Sequence, residues 1–136
     1  MTTTVEYVNP PGLAPAQGLY SQLGLIRQGT PCLVAGQLAV GDAGEVVGVN
    51  DFAAQFARVF HNLKSTLEAA GGGCHSIAKM TTFLTSADSI PEFMRLRAEL
   101  FPTLFPDGVY PPNTLLIISR LVKPEFMLEV EAVAAL

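Results

Sequence analysis

The sequence predicts one α+β domain over residues 1–136, with two helices packed on one face of a mixed β-sheet. Two segments repeat apolar residues at helical spacing, and shorter runs between and around them are rich in apolar and β-branched residues, as strands are. In chain order the elements run strand, strand, helix, strand, helix, strand, strand. A chain of this length can bury one sizeable core, and no repeat, linker or low-complexity tract divides it.

The N-terminal part of the chain is predicted to be extended. The first 20 residues are rich in proline and glycine and are expected to form an arm and loops. Two apolar runs follow, "LGLIRQG" at 23–29 and "PCLVAGQL" at 31–38, and the sequence Gln-Gly-Thr at 28–30 is typical of a turn. The pattern predicts a β-hairpin.

The clearest helix begins at Asp51, and either Asp51 or Asn50 is a plausible cap, since both residue types cap helix N-termini well. The glycine run at 71–73 ends the helix. The apolar residues between these limits form one stripe at helical spacing, which is expected to face the core. They are Phe52, Phe56, Val59, Phe60, Leu63 and Leu67.

A strand and a second helix follow. "SIAKMTTFL" at 76–84 is rich in β-branched residues and predicts a strand. The second helix is predicted to begin near Pro91, whose fixed φ suits a first helical turn, and to run through "EFMRLRAELF". Phe93, Leu96 and Leu100 are expected to face inward. The segment "PTLFPDGVYPP" holds too many proline and glycine residues for regular structure.

The last two strands, "TLLIISRL" and "FMLEVEAVAAL", differ in how their faces are occupied. Because strand side chains alternate, one face of the final strand carries only core residues, while the other mixes Glu129 and Glu131 with apolar groups. In "TLLIISRL" both faces are apolar, so both must be covered. The helices can cover only one face, and we therefore expect another copy of the chain to cover the other.

Composition and charge exclude several classes of function. Apolar residues make up 49% of the chain and charged residues 15%, which is little charge for a protein with so much surface. The net charge of −4 and the scattered basic residues argue against nucleic acid as the main partner. No apolar run reaches the roughly 18 residues that a membrane span needs, and no signal-peptide pattern is present, so a cytoplasmic location is expected.

The sequence contains no motif for a metal or a cofactor. Cys32 and Cys74 do not have zinc-site spacing and are too few for a disulfide framework. The patterns GxSxG, HExxH and the P-loop are absent, and the glycine run at 71–73 is better explained as a helix stop than as a phosphate loop. We therefore expect neither a metal nor a cofactor.

Four residues are candidates for chemistry. Glu129 and Glu131 project to the same side of a strand. A half-buried carboxylate can act as a general acid or base, although an interface charge bonded to backbone or arginine is the commoner role. Tyr20, in "GLYSQ", either packs or lines a pocket. Gly36, in "LVAGQL", either forms a bulge or lets the backbone approach a ligand closely.

Several segments together resemble the reactive-intermediate deaminase family, RidA/YjgF. They are "GLYSQ", "LVAGQL", "HNLKSTLEAAG", "IAKMTTFLT" and "ISRLVKPEFMLEVEAVA", in the order and spacing of the family. The resemblance implies a chorismate-mutase-like α+β fold assembled as a homotrimer, with the sheets forming a central barrel and a ligand cleft between subunits. It also implies hydrolysis of imines or enamines to a keto acid and ammonia, without a metal or cofactor.

The resemblance assigns three residues of that cleft directly. Tyr20 matches the family's cleft tyrosine, and Gly36 matches the glycine whose backbone faces the ligand. Glu129 matches the glutamate that positions or activates water. On this assignment Glu129 and the residues around it form an intersubunit site for a small molecule.

Three positions depart from the family pattern. Ala35 stands where the family has a serine, Leu115 where it has a cysteine, and Asn113 where it has the arginine that binds a carboxylate. A neutral amide cannot replace a charged, bidentate fork. The loss of such a pair costs about 1.5–3 kcal/mol, or roughly 10- to 150-fold in binding. Activity on small 2-imino acids such as 2-aminoacrylate is therefore expected to be weak.

Two functions fit these expectations. The first is hydrolysis of an imine, enamine or related C–N bond in a substrate without the usual α-carboxylate. Glu129 would then activate water, while Asn113 would bind a neutral polar group. The second is a non-catalytic trimer that binds a small metabolite in a regulatory or chaperone-like role. Ribonuclease activity, which is also associated with the family, fits the acidic charge balance poorly.

Overall fold

The computed structural model describes residues 4–136, and its elements have the predicted α+β character. Short 3₁₀ turns, Cys74–Ser76 and Ala87–Ser89, precede the third of the predicted strands and the second helix. The remaining elements, in chain order, are β1 (Val5–Val8), β2 (Leu23–Ile26), β3 (Pro31–Gln37), α1 (Phe52–Ala69), β4 (Ile77–Leu84), α2 (Ile90–Leu104), β5 (Asn113–Ile117) and β6 (Leu128–Ala135).

The main sheet has four strands in the order β3-β6-β4-β5. β4 and β5 are parallel, and the other neighbours are antiparallel, so the sheet is mixed as predicted. The register places Phe83 of β4 between Glu129 of β6 and Leu116 of β5. Residues paired in this way share a face of the sheet, so these three side chains lie on one side of it.

The predicted hairpin between residues 23–29 and 31–38 is wrong. β2 pairs instead with β1 in a separate two-stranded sheet, and β3 pairs with the C-terminal strand β6. Gly29, at φ +94°, turns the chain away from β2, and Thr30 exchanges backbone hydrogen bonds of 2.7 and 3.0 Å with Leu136. The expected N-terminal arm is thus partly a strand.

Helix α1 confirms the prediction. Its cap is Asp51, whose Oδ1 accepts a hydrogen bond of 3.0 Å from the backbone N–H of Ala54. The helix ends before Gly71, which has φ +92°, a conformation that glycine adopts without strain. Every residue of the predicted apolar stripe is buried.

Gln55 connects the first turn of α1 to the segment that leads into β6. Its Nε2 donates to the carbonyls of Gly48 and Glu125, at 3.1 and 2.8 Å, and its Oε1 accepts from the N–H of Met127 at 2.9 Å. The side chain is fully buried with these bonds made, so it carries no unpaired polar group into the core. The connection fixes the backbone just before Leu128, the first residue of β6.

Helix α2 packs on the core with the predicted residues Phe93, Leu96 and Leu100, but its most buried positions were only partly predicted. Phe93 is buried as expected, but the other buried positions are Arg97 and Phe101, while Leu96 and Leu100 are only partly buried. Residues 93, 97 and 101 lie about one helical turn apart on one stripe, and the charge of Arg97 obscures that stripe in the sequence. The helix also continues through Pro102, which the prediction assigned to irregular structure.

The face of the sheet opposite the helices is covered at one end only, where Val5 of β1 packs with Ala78 and Ala135. Residues 4–136 leave the rest of this face uncovered. On β6 the residues Leu128, Val130 and Ala132 are buried beneath the helices, as the alternation predicts. On the uncovered face, Leu33 of β3 is 80% exposed and Leu116 of β5 is 44% exposed. Large aliphatic side chains at such exposure on one sheet face are typical of a protein–protein contact.

Candidate functional site

Glu129 lies on the uncovered face of β6, beside a break in the regular pairing of β3. The register of β3 against β6 shifts between Val34 and Gln37, and Gly36 lies in this bulge. A Cβ on Gly36 would overlap the carboxylate of Glu129, so the glycine lets the carboxylate lie directly against the β3 backbone. The bulge interpretation of Gly36 is therefore confirmed, and the group that lies against its backbone is the Glu129 carboxylate; the approach of a ligand to Gly36 stays a prediction.

The surroundings of Glu129 favour its neutral form. Burial raises the pKa of the Glu129 carboxyl above its ordinary value, and the like charge of Glu131 raises it further. Glu131 is exposed on the same face, two residues along the strand. A carboxyl whose pKa is raised in this way binds a proton more strongly than an ordinary glutamate, which makes it a better candidate for general acid–base catalysis.

Tyr20 and Asn113 line a common pocket at the edge of the sheet. The pocket has a volume of about 300 Å³. The Tyr20 hydroxyl accepts a hydrogen bond of 3.1 Å from the N–H of Gln17, which holds the ring in its loop. Of the two interpretations of Tyr20, the structure supports the pocket-lining one. The remaining lining residues are Ser21, Gln22, Leu23, Gly24, Ala78, Lys79, Pro112 and Thr114.

Asn113 begins β5 with its side chain on the helix side of the sheet. Its register partner Met80 is a core residue, and its Oδ1 accepts a hydrogen bond of 2.8 Å from Oγ1 of the buried Thr82. Leu115, two residues on, packs partly against the same core. The bond to Thr82 occupies the amide oxygen, which leaves the Nδ2 hydrogens of Asn113 as the donors available to a ligand.

The candidate residues therefore form two groups rather than one crevice. Glu129 and Gly36, with the exposed Ala35 next to them, lie on the uncovered face, whereas Asn113 and Leu115 lie on the helix side. We name the first the Glu129 group and the second, together with Tyr20, the Tyr20 group. Within one chain the sheet separates the two groups, so a single small molecule cannot contact Glu129 and Asn113 of the same copy.

Lys79, near the start of β4, is a cation that the sequence analysis did not consider. It lines the Tyr20 pocket and also a groove of about 360 Å³ on the uncovered face, where Glu131 and Leu33 are further lining residues. Its register partner is Val133, which places it on the same face as Glu129. The alternation of residues 77–84 could have revealed this, because Lys79 breaks an otherwise uncharged strand.

Arg97 is a second overlooked cation, and it lies under the loop that carries Tyr20. Arg97 is 3% exposed, and a Cβ on Gly18 would overlap the Nη2 atom of Arg97. Burial lowers the pKa of the Arg97 guanidinium, and the nearby Tyr20 hydroxyl acts in the opposite direction. Helical spacing from Phe93 and Phe101 was the signal in the sequence that placed Arg97 inward.

Two further features are absent from the described part of the chain, a metal-binding cluster and a membrane-spanning helix. Among residues 4–136 no three His, Cys, Asp or Glu side chains come close enough to hold a metal ion. No helix in that range combines the length and the apolar character needed to cross a bilayer.

Comparison with known proteins identifies a consistent set of relatives. The family model described as Endoribonuclease L-PSP matches residues 12–136. A RutC family protein of Pyrococcus abyssi is 32% identical over 118 residues, which cover 86% of each chain. The 3-aminoacrylate deaminase RutC of Acinetobacter baylyi is 31% identical over 101 residues, covering 74% of this chain and 75% of that protein.

A solved structure with the same fold adds to these relatives. It is YyfB of Yersinia pestis, described as a protein of unknown function of the conserved Rid protein family. It matches with a TM-score of 0.86 and 27% identity, over 98% of this chain and 99% of that one. The likeness confirms the expected chorismate-mutase-like α+β fold.

The raised pKa of Glu129 can be measured directly. In a carbon-detected NMR titration of the side-chain carboxyls, Glu129 should titrate above the ordinary range of glutamate. Glu131→Gln should lower that pKa by removing a like charge, but should leave it raised because burial is the larger cause. Glu125→Gln, an exposed change elsewhere in the chain, is the matched control and should leave the titration of Glu129 unaltered. A wild-type pKa at or below the ordinary value would contradict this account.

Proposed function

The chain belongs to the Endoribonuclease L-PSP family, whose members also carry the names RutC, Rid and YjgF, and from this we propose that it hydrolyses the C–N bond of an imine or enamine. The single observation that carries the proposal is the position of Glu129. Its carboxylate lies against the Gly36 backbone on an uncovered sheet face, with a raised pKa. A water molecule bound there has a base beside it and room for a substrate above the sheet.

The proposed reaction needs only water and one carboxyl group. Ionised Glu129 takes a proton from water as the oxygen bonds to the carbon of the protonated imine, which gives a neutral carbinolamine. The same carboxyl then gives this proton to nitrogen and, as the C–N bond breaks, takes the proton of the carbinolamine hydroxyl, so that a carbonyl compound and ammonia leave and the last proton passes to ammonia or solvent. An enamine first takes a proton on carbon to become the protonated imine. General acid–base catalysis of this kind contributes about 10²- to 10⁴-fold in rate.

The site is proposed to form between copies of the chain in a homotrimer. The Glu129 group of one copy would face the Tyr20 group of the next, since the two groups of one copy lie on opposite sides of its sheet. The exposed Leu33 and Leu116 support this arrangement, because they surround the Glu129 face with apolar area that a second copy would cover. Lys79, which lines both the Tyr20 pocket and the groove on the uncovered face, would lie where two copies meet.

The substrate is proposed to lack a carboxylate on the reacting carbon. Asn113 offers one neutral amide whose oxygen is already bonded to Thr82, so it can donate to a carbonyl or similar group but cannot form an ion pair. Leu115 makes the same wall apolar. Among the relatives, the Acinetobacter protein is named for 3-aminoacrylate, an enamine whose carboxylate is one carbon away from the carbon that bears nitrogen.

The name of the family model refers to an endoribonuclease, an activity that this chain supports poorly. It carries 8 basic against 12 acidic residues, and a net charge of −4 repels a phosphate backbone. A second candidate function is a trimer that binds a metabolite without turning it over. The replacement of the family's charged and nucleophilic residues at 113 and 115 favours it. The rate of ammonia release by the Glu129→Gln variant distinguishes this binding module from an enzyme.

Replacement of Glu129 tests the proposed function. Imines made in situ from amines by an amine oxidase should lose ammonia faster with the wild-type protein than in buffer, whereas 2-imino acids made from amino acids by an amino-acid oxidase should show little acceleration. Glu129→Gln keeps the shape but removes the proton acceptor, and should reduce the rate by about 10²- to 10⁴-fold. Glu125→Gln, an exposed change of the same charge, should leave the rate unaltered. No acceleration by the wild type, or equal rates for the wild type and Glu129→Gln, would favour the binding module.

Replacement of Asn113 tests the assignment of the substrate. Wild-type protein should hydrolyse 2-aminoacrylate poorly, because nothing at position 113 pairs with its carboxylate. Asn113→Arg should raise kcat/KM for this substrate by roughly 10- to 150-fold, the value of one charge-assisted pair. Asn113→Gln, a longer amide without charge, is the control and should not raise it. Wild-type turnover of 2-aminoacrylate equal to that of Asn113→Arg would contradict the assignment.

Sedimentation tests the shared site. At micromolar concentration the wild-type protein should sediment with the mass of three chains. Leu33→Asp places a charge on the uncovered face and should dissociate the trimer and abolish turnover. Val49→Asp, a comparably exposed apolar residue that precedes α1, should affect neither. A stable, fully active monomer would refute the intersubunit cleft.

A further inference from the structure

Arg97 is a buried cation without an anionic partner among residues 4–136. Its guanidinium makes one hydrogen bond, from Nη2 to Sδ of Met94 at 2.9 Å, and its Nε has no partner although it is buried. Sulfur is a weak acceptor, so most of the five N–H donors of the guanidinium are unused. All ion pairs that arginine forms in this part of the chain involve other residues, Arg27, Arg58 and Arg95.

The neighbours of Arg97 do not compensate for its burial. Its Cζ lies 5.4 Å from the ring centroid of Phe93 and 6.0 Å from that of Phe101, which gives two cation–π contacts at the far end of their useful range. Such contacts offset only part of the cost of removing a charge from water. A leucine or methionine would fill the same volume at lower cost, so the charge itself requires an explanation.

The position of Arg97 connects it to the Tyr20 group. The guanidinium lies under the tight turn in which the N–H of Tyr20 bonds to the carbonyl of Gly18 at 3.0 Å. Gly18 allows this contact, because a side chain there would collide with Nη2. Before this turn, residues 11–17 are exposed and belong to no helix or strand. The charge is therefore separated from the pocket beside Tyr20 only by a short turn at the end of an exposed loop.

We propose that Arg97 binds the carboxylate of the substrate, at a point remote from the carbon that reacts, and so takes over the anion-binding role that Asn113 cannot perform. The inference rests on the proposed function and assigns its substrate class: an imine or enamine that carries a carboxylate at least one carbon away from the C–N carbon. A small shift of the turn at Gly18 exposes the unused Nη and Nε donors, which present a bidentate fork to the carboxylate. Bound substrate then supplies the counter-charge that residues 4–136 do not provide.

The test compares a keto acid with its neutral amide. 4-Oxopentanoate has a ketone like that of the reaction product and a carboxylate remote from it, and 4-oxopentanamide has the same shape without the charge. Calorimetric titration of wild-type protein should give a dissociation constant for the acid about 10- to 100-fold below that for the amide. Arg97→Met should bring the ratio close to one, and Arg97→Lys should retain part of it.

The control is Arg95→Met, which removes an exposed arginine of the same helix and should leave the ratio at the wild-type value. Arg97→Met should fold with a Tm equal to or above that of the wild type, because it removes an uncompensated buried charge. A wild-type ratio near one, or a ratio that survives in Arg97→Met, overturns the proposal. So does dissociation of the oligomer by Arg97→Met with the ratio intact, which would assign Arg97 to a carboxylate of a neighbouring copy. Since binding needs no turnover, this outcome is independent of whether Glu129→Gln affects ammonia release.

Discussion

The alternation of side chains along β6 is the constraint on which the fold and the site both depend. Leu128, Val130 and Ala132 must face the helices to complete the core, and this forces Glu129 and Glu131 onto the opposite face. A slip of one residue in register would bury two carboxylates beneath the helices, at a cost of several kcal/mol for each. The hydrogen bonds of Gln55 to the backbone at 125 and 127 prevent that slip just before the strand begins.

Local patterns predicted the parts of the structure that local forces determine. The apolar stripe of α1, its cap at Asp51 and the two faces of β6 follow from periodicity and are found as predicted. Strand pairing was not predictable in the same way, because residues 31–37 read equally well as a partner of β2 or of any other strand. Their actual partner lies about a hundred residues away in β6, and only the assembled core selects it.

The candidate site shows the same division. Its members were identified from a resemblance of segments, and Tyr20, Gly36 and Asn113 each line or adjoin a pocket or a carboxylate. Their arrangement was not evident, since the face on which Asn113 lies depends on the register of β5 against β4. Arg97 was missed because a charged residue in a helix is assigned to solvent by default, and only the packing of α2 shows that it is buried.

Covering the open face changes the electrostatics of Glu129 in a predictable direction. Burial is the main cause of the raised pKa of Glu129 in the single chain, and a second copy over the sheet would remove more water from the same carboxyl. Assembly would then raise the proton affinity of Glu129, the proposed base. Assembly would also place the Tyr20 group of the second copy opposite Glu129. An isolated chain would keep its fold, because the helices already bury the other face, but it would hold a less basic carboxylate and only half of each site. In the proposed trimer, the uncovered face is therefore part of the catalytic arrangement and not only an interface.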